Sequence, residues 1–282
     1  ARLSDCPFGV TAPDSLRPVA EAIVVELGGD PVWIAQEHRA LYHAGLALAS
    51  NNLTTLVNNR IFMAKLPFDL DRDLAPISQY FSSYNVLAVT PSLPVKSVQE
   101  LIEHARKNPG KLLFASSGNG TVVHLQTELF KSMSGTFITH IPYRGAGPAL
   151  NDTVAGQVPM IFDNLPSALP FIKDNRLVPI VVAAPQRLAV LPNVPTFKEV
   201  GLEPVNRMAY YGILGPAGMS KDVVDKYYAA LKVVVADPAV KKRIEETGSI
   251  INVNGPEAFS KEIKAEYVVY KEVVAKQKLA LD

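Results

Sequence analysis

The loop Ser116-Ser117-Gly118-Asn119-Gly120-Thr121 has the residue types of an anion-binding turn. It follows an apolar run, and over residues 122–133 apolar side chains recur at helical spacing. The glycines allow a sharp turn close to a ligand, and Asn119 or Thr121 can cap the helix. The free N–H groups of such a helix start bind a carboxylate or phosphate without Lys or Arg. An ordinary strand-to-helix turn also favours Ser, Gly and Asn, so this loop alone leaves both interpretations open.

A second helix start is predicted near residue 12. The segment Phe8-Gly9-Val10-Thr11-Ala12 has the small residues of a loop, and Pro13 suits the first position of a helix. Asp14 complements the positive end of the helix dipole, and the apolar spacing that follows ends at Gly28-Gly29. The sequence therefore offers two helix N-termini as anion sites.

Three polar side chains are further candidates for contacts. Thr55 follows a short predicted strand and can offer a hydroxyl to a ligand or cap the next helix. Asp163 stands at the C-terminal end of the predicted strand 157–162, where α/β sheets place ligand contacts, although a carboxylate there can also cap a helix. His124 lies one turn inside the central helix, where packing or a hydrogen bond to a neighbouring loop is favoured over a role as general base.

The composition is that of a globular protein. The 282 residues, 48% hydrophobic and 20% charged, can bury one large core or two smaller ones. The 28 basic and 27 acidic residues are well mixed, which argues against a nucleic-acid surface or a membrane surface. Cys6 is the only cysteine, so an internal disulfide and metal sites that need two thiolates are excluded.

Recognised cofactor and catalytic motifs are missing from the sequence. Gly145-Ala146-Gly147 lacks the third glycine and the acidic residue of a dinucleotide fingerprint. His38 and His43 have a poor spacing for two metal ligands on one helix face. Gly-x-Ser-x-Gly, His-Glu-x-x-His and Walker motifs do not occur. We therefore predict no cofactor, no metal and no enzymatic activity.

Strand and helix patterns alternate along the chain, which predicts a parallel α/β architecture. Residues 66–76 are expected to form a loop, Ala149 to Ala155 a helix, and the segment after Thr196 a short helix. Ser97 and Glu100 have the spacing of a capping box. The tail is predicted to form three plain helices, from Lys221 to Val235, from Pro238 to Thr247 and from Pro256 to about Leu279, because these stretches have apolar spacing and mixed charge.

Two β-rich runs, near residues 85–91 and 207–215, are predicted to carry the chain between two lobes. One lobe would be discontinuous, from residues 1–90 and 207–282, and the other would be residues 91–206. In this clamshell the helix starts near residues 12 and 121 face each other across the cleft.

Seven segments resemble the solute-binding proteins of tripartite tricarboxylate transporters, the Bug or TctC family. They occur in the same order over residues 50–282 and are Asp73–Ile77, Pro94–Val98, Asn108–Leu112, Ala115–Thr121, His140–Gly145, Phe162–Pro170 and Leu191–Thr196. The resemblance implies a type II-like periplasmic binding protein fold, in which two α/β lobes close on a small carboxylic acid held by backbone N–H groups and bridging waters.

The resemblance also implies which residues contact the ligand. Those of the first loop are Phe8, Gly9, Val10 and Thr11, those of the central loop are Ser117, Asn119, Gly120, Thr121 and Val122, and Thr55 lies between them in sequence. Asp163 would select the far end of the ligand. The sequence departs from the family pattern in a shorter, glycine-poorer first loop and in a shortened stretch between Trp33 and Gly45.

The implied function is that of a periplasmic binding protein that captures an amino acid, dicarboxylate or aromatic acid for a membrane transporter. We expect a monomer with transient transporter partners, no nucleic-acid partner and no membrane insertion. An exported form is expected to have lost its leader peptide. A sensor subunit for a membrane signalling kinase would use the same cleft, and an enzyme, hydrolytic or isomerising, is the third class.

Overall fold

The computed structural model describes residues 7–10, 30–33 and 70–277, and the elements below are numbered in order over these residues. The strands are β1 (Pro7–Val10), β2 (Asp30–Trp33), β3 (Leu74–Ser83), β4 (Asn85–Val89), β5 (Leu113–Ser116), β6 (Thr139–Pro142), β7 (Met160–Asn164), β8 (Val178–Ala183), β9 (Ala209–Pro216) and β10 (Ser249–Asn254). The helices are α1 (Leu70–Asp73), α2 (Val98–Lys107), α3 (Val122–Ser134), α4 (Ala146–Val154), α5 (Leu165–Lys173), α6 (Lys221–Ala236), α7 (Pro238–Glu246) and α8 (Pro256–Gln277). None of these helices is long and apolar enough to cross a membrane.

The strands β1 and β2 form a parallel pair that runs from Pro7 beside Asp30 to Val10 beside Trp33. The prediction that Phe8, Gly9 and Val10 belong to a loop is therefore wrong, because they pair in register with β2. Small residues are typical of turns, but pairing with a neighbouring strand decides the backbone here. The helix predicted from Pro13 lies outside the described residues.

A five-stranded sheet has the order β6-β5-β7-β4-β8. β5 runs parallel to β6 and β7, whereas β4 runs antiparallel to β7 and β8. The sheet is thus mixed, and the prediction of a parallel architecture is wrong for β4, as it is for the three-stranded sheet, whose strands are all antiparallel. All five residues of this central strand are buried, with Leu87 and Val89 packing towards α2 and α3 and with Val86 and Ala88 packing towards α4 and α5.

A three-stranded antiparallel sheet has the order β10-β3-β9 and is covered by α6, α7 and α8. Its strand β3 and helix α1 replace the predicted loop at 66–76. The three predicted tail helices are confirmed as α6, α7 and α8, and β10 lies in the gap between the last two, for which no element was predicted. β3 has no apolar alternation, because it buries Ser78, Gln79 and Ser82. These side chains hydrogen-bond to Asn252 and Asn254 of β10, so a buried polar network replaces the hydrophobic signal.

The chain passes from the three-stranded to the five-stranded sheet through a single residue, Tyr84. It returns near Arg207, whose carbonyl oxygen accepts hydrogen bonds from Gln126 Nε2 at 2.6 Å and from Asn85 Nδ2 at 3.4 Å. The Arg207 side chain also pairs with Glu266 of α8 at 2.8 Å. Both crossings of the chain between the two sheets are therefore held next to α3, because Gln126 of this helix and Asn85 hydrogen-bond to the same carbonyl of Arg207.

The N-terminal cap of α2 follows the predicted pattern in part. The Glu100 N–H donates to Ser97 Oγ at 3.2 Å, but the Glu100 carboxylate accepts from the N–H of Lys96, one residue before the cap. The helix predicted at Ala149 begins three residues earlier, at Ala146.

The segment after Thr196 forms turns rather than the predicted short helix. Thr196 and Glu199 exchange the two hydrogen bonds of a capping box, at 2.8 and 3.2 Å. Gly201 then takes a left-handed φ of 77°, so the helix does not continue.

Gly212 of β9 and Gly147 of α4 form a matched pair for testing the packing of the sheets. A Cβ on Gly212 would lie 2.2 Å from Phe259 Cζ and 2.9 Å from the Ser78 carbonyl oxygen, whereas a Cβ on Gly147 meets no atom of the described residues within 4 Å. We expect Gly212→Ala to lower the free energy of unfolding by about 1–3 kcal/mol through overpacking. Gly147→Ala should leave it unchanged or raise it by up to about 1 kcal/mol. Urea unfolding measures both, and equal effects would contradict the packing described.

Candidate functional site

The central loop joins β5 to α3 as the sequence predicts. Thr121 is the N-cap of α3, and its Oγ1 accepts from the N–H of His124 at 3.4 Å. Asn119 is exposed and is not the cap. The alternative between Asn119 and Thr121 is therefore settled in favour of Thr121.

The two glycines of the loop have backbone conformations that other residues rarely adopt. Gly118 has a φ of 133° and Gly120 a φ of 72°. A Cβ on Gly118 would lie 3.1 Å from the carbonyl oxygen of Tyr143, in the turn that follows β6. That turn is hydrogen-bonded to the loop, since the Tyr143 and Gly145 N–H groups donate to the Ser116 and Ser117 carbonyls at 3.1 and 3.2 Å.

The N–H groups of the loop fall into an inner and an outer set. The inner set is satisfied within the chain: Gly118 N–H donates to Ser116 Oγ at 3.2 Å, and Gly120 N–H donates to His124 Nδ1 at 3.1 Å. The outer set, Asn119, Val122 and Val123, has no hydrogen-bond partner within the part of the chain that the structure describes. The start of α3 thus presents unsatisfied N–H groups where an anion binds favourably.

Asp163 lies near the C-terminal end of β7, the parallel neighbour of β5, and therefore at the end of the sheet from which the central loop emerges. Its side chain is 1% exposed, and neither carboxylate oxygen has a hydrogen-bond partner within residues 70–277. It does not cap α5, because the cap residue is Asn164 and that cap has no side-chain hydrogen bond. Burial raises the pKa of Asp163 to about 7, and the nearby N–H of Asn164 offsets this only in part.

Side-chain oxygen atoms of Asn85, Asn164 and Asn206 are also buried and have no hydrogen-bond partner within the described part of the chain. Asn85 of β4 pairs with Asn164 of β7 and with Ala183 of β8, and the Asn206 amide donates to Ala184 at 2.8 Å. This end of the sheet therefore concentrates acceptors that lack donors. Sequence reasoning missed Asn85 and Asn206, because segments far apart in the chain bring them together.

The remaining predicted contacts cannot be assembled from the described residues. Phe8, Gly9 and Val10 lie in β1, of which the structure describes the backbone, and Thr11 and Thr55 lie outside the described residues. The convergence of two helix starts on one cleft therefore stays a prediction. Within the described ranges, no group of three His, Cys, Asp or Glu side chains could hold a metal ion.

The profile of the tripartite tricarboxylate transporter family receptor, TctC, matches residues 43–277. The chain belongs to this family. A profile of a domain of unknown function, DUF2520, matches residues 6–66. The UPF0065 protein of the tcbD-tcbE intergenic region from Pseudomonas sp. strain P51 is 32% identical to this TctC receptor over 229 residues, which are 81% of this chain and 68% of that protein. The receptor spans 54% of the length of BugT from Bordetella pertussis, which is 30% identical to it.

Solved structures match nearly the full length of this sequence. A periplasmic transporter is 35% identical, with a TM-score of 0.79 and coverage of 99% of this chain and 98% of that one. An R. palustris protein solved with adipate is 25% identical, with a TM-score of 0.78 and 98% coverage of both chains. The expected class, a two-lobed α/β periplasmic binding protein, is confirmed. This family and this fold are those of solute-binding receptors rather than enzymes.

Behind the central loop, residues 116–121, of the TctC receptor lies a stack of three aromatic rings. His140 lies between Phe114 and His124, with ring centroids 4.5 and 4.1 Å away. Burial, with a smaller contribution from the Lys131 ammonium, lowers the pKa of His124 to about 4. Burial, with smaller contributions from His124 and Lys131, lowers the pKa of His140 to about 3. The rings are therefore neutral at pH 7, which agrees with the prediction that His124 packs and hydrogen-bonds.

The buried carboxyl group predicts a pH dependence that Asp163→Asn removes. Because the pKa of Asp163 is raised to about 7, the folded state holds a proton that the unfolded state releases near pH 4. The ligand-free wild type should lose stability relative to Asp163→Asn as the pH rises from about 4 to about 7, by up to about 1.4 kcal/mol per pH unit. Above pH 7 the difference should level off.

Urea unfolding of both proteins at pH 5, 6, 7 and 8 measures this difference. The histidine pKa values act in the opposite direction, since their neutral forms are lost as the pH falls, but they cancel between the two proteins. A constant difference across this range would show that the Asp163 carboxyl group has an ordinary pKa.

Proposed function

We propose that this receptor captures a small carboxylic acid and delivers it to a tripartite tricarboxylate-type transporter. The observation that supports this most directly concerns one end of the five-stranded sheet, where β5 and β7 run parallel. The N–H groups of Val122 and Val123 and the buried carboxylate of Asp163 both lie there, and none of them has a hydrogen-bond partner among the described residues. The structurally similar R. palustris protein was solved with adipate, a dicarboxylate. Membership of the TctC family supports the transport role.

The carboxylate of the ligand binds at the start of α3. Two outer N–H groups donate to its oxygens, and hydrogen bonds to a charged group contribute about 1.5–3 kcal/mol each. The helix dipole adds about 0.3–1 kcal/mol. Closure of the lobes excludes water and so strengthens both contributions.

Asp163 hydrogen-bonds to the other end of the ligand. As a carboxylate it accepts a hydrogen bond from an ammonium or hydroxyl group, and as a neutral acid it donates to a second carboxylate. Because burial raises its pKa to about 7, both forms are accessible near neutral pH. The same site can therefore accept an amino acid, a hydroxy acid or a dicarboxylate.

The rest of the cleft comes from the other lobe. We assign residues up to Tyr84 and from Arg207 onward to one lobe and the residues between them to the other, since the chain changes sheets at these points. The first loop, with Phe8 to Thr11, and Thr55 complete the ligand site from the first lobe. The mature protein acts in the periplasm as a monomer and meets the membrane subunits of its transporter only transiently.

A ligand panel tests the proposal. The receptor is mixed with amino acids, hydroxy acids, C4–C6 dicarboxylates, aromatic acids, sugars and nucleosides, and the melting temperature is recorded. A ligand at 100 times its Kd stabilises the folded state by about 2.7 kcal/mol, so a true ligand raises the melting temperature by several degrees. Stabilisation by a sugar or nucleoside, and by none of the acids, would overturn the proposal.

Asp163→Ala tests how the far end of the ligand is selected. It should weaken acids that carry a donor group by about tenfold or more, because their ammonium or hydroxyl loses its buried acceptor. Simple monocarboxylates should bind as before, and isothermal titration calorimetry measures both classes. Equal weakening of both classes would remove the selective role of Asp163.

A further inference from the structure

The inner N–H groups of the central loop, those of Gly118 and Gly120, are hydrogen-bonded to the stacked histidines, directly or through one hydroxyl. His124 Nδ1 accepts the N–H of Gly120 directly. His140 acts through Ser116, whose Oγ lies 2.6 Å from His140 Nε2 and accepts the N–H of Gly118 at 3.2 Å. The two glycine amides of the loop thus connect, directly or through one hydroxyl, to two rings that stack on each other at 4.1 Å.

This geometry fixes the protonation pattern of His124. Because Nδ1 accepts a hydrogen bond, the proton of the neutral ring is on Nε2, which lies 3.9 Å from Glu128 Oε1. Glu128 is in turn paired with Lys131 at 2.7 Å, and His140 faces the ring from β6. Among the described residues, the titratable groups around His124 are His140, Glu128 and Lys131, and the Gly120 N–H donates to Nδ1.

We infer that His124 is a positioning residue for ligand binding: its Nδ1 holds the Gly120 amide inward, and so aims the N–H groups of Val122 and Val123 at the ligand carboxylate. The inference rests on the proposed function for its ligand, but the contact it describes exists in the ligand-free protein. The Gly120 peptide at a φ of 72° lies immediately before the cap residue Thr121, so its orientation sets where α3 begins. A residue that only filled space at this position would not fix that peptide.

Two substitutions separate hydrogen bonding from packing. His124→Asn retains an acceptor oxygen close to the position of Nδ1 but loses most of the ring, whereas His124→Phe retains a stacking ring but has no acceptor. Phe130→Leu is the control, because Phe130 is a fully buried residue of the same helix without a hydrogen bond to the loop. The Phe130→Leu substitution lowers the stability of the folded protein through lost packing alone.

The first measurement needs no ligand. Hydrogen exchange of the Gly120 amide, followed by NMR in the ligand-free protein, should be at least about tenfold faster in His124→Phe than in the wild type. In His124→Asn and Phe130→Leu it should stay within about threefold, after correction for global stability. Equal protection in His124→Phe and His124→Asn would overturn the inference whether or not an acid binds.

The second measurement is the affinity for the best acid from the panel. His124→Phe should weaken it by about tenfold, His124→Asn should restore most of the loss, and Phe130→Leu should bind as the wild type does. Wild-type affinity in His124→Phe, or an equal loss in His124→Asn, would overturn the inference. Failure of the wild type to bind any acid would count against the proposed function alone, because the exchange result stands separately.

Discussion

The first turn of an α-helix has N–H groups that no carbonyl of the same helix can satisfy, and the ligand site proposed for this receptor depends on how those of α3 are used. Thr121 caps one of them, at His124, and those of Val122 and Val123 have no hydrogen-bond partner among the described residues. An arrangement of this kind holds an anion without a buried Lys or Arg. It therefore avoids the desolvation cost of a buried cation when the cleft is empty.

At the same end of the sheet, burial of Asp163 has a free-energy cost. A carboxyl group that is 1% exposed and has no hydrogen-bond partner among residues 70–277 is expensive to ionise, so burial raises its pKa rather than leaving a bare charge. A group intended only for stability would have been paired or replaced by an apolar side chain. The unpaired group instead fits a ligand that supplies the missing partner, and the acceptor oxygens of Asn85 and Asn164 at this end of the sheet fit the same explanation.

The sequence predicted those parts of the fold and the site that depend on local chemistry. The loop from Ser117 to Val122, the Thr121 cap and the buried strands around Val86 and Val181 follow from glycine, capping and hydrophobic patterns. β3 could not be predicted in this way, because it buries polar side chains that are satisfied by β10, about 170 residues later in the chain. The reversed direction of β4 is likewise a property of the connection through Tyr84, which no periodicity records.

The packing of His124 in the histidine stack was predicted correctly, but its hydrogen bond to the Gly120 amide was not predicted from the sequence. Position and burial alone favoured a structural His124, and the contacts agree, since the ring is 6% exposed and lies 4.1 Å from His140. However, Nδ1 of the same ring accepts a hydrogen bond from the Gly120 amide, which belongs to the loop that we propose as the ligand site. On this proposal, one hydrogen bond serves both the structure and the function of His124. The neutrality of the ring, which its burial enforces, is what keeps Nδ1 available as an acceptor.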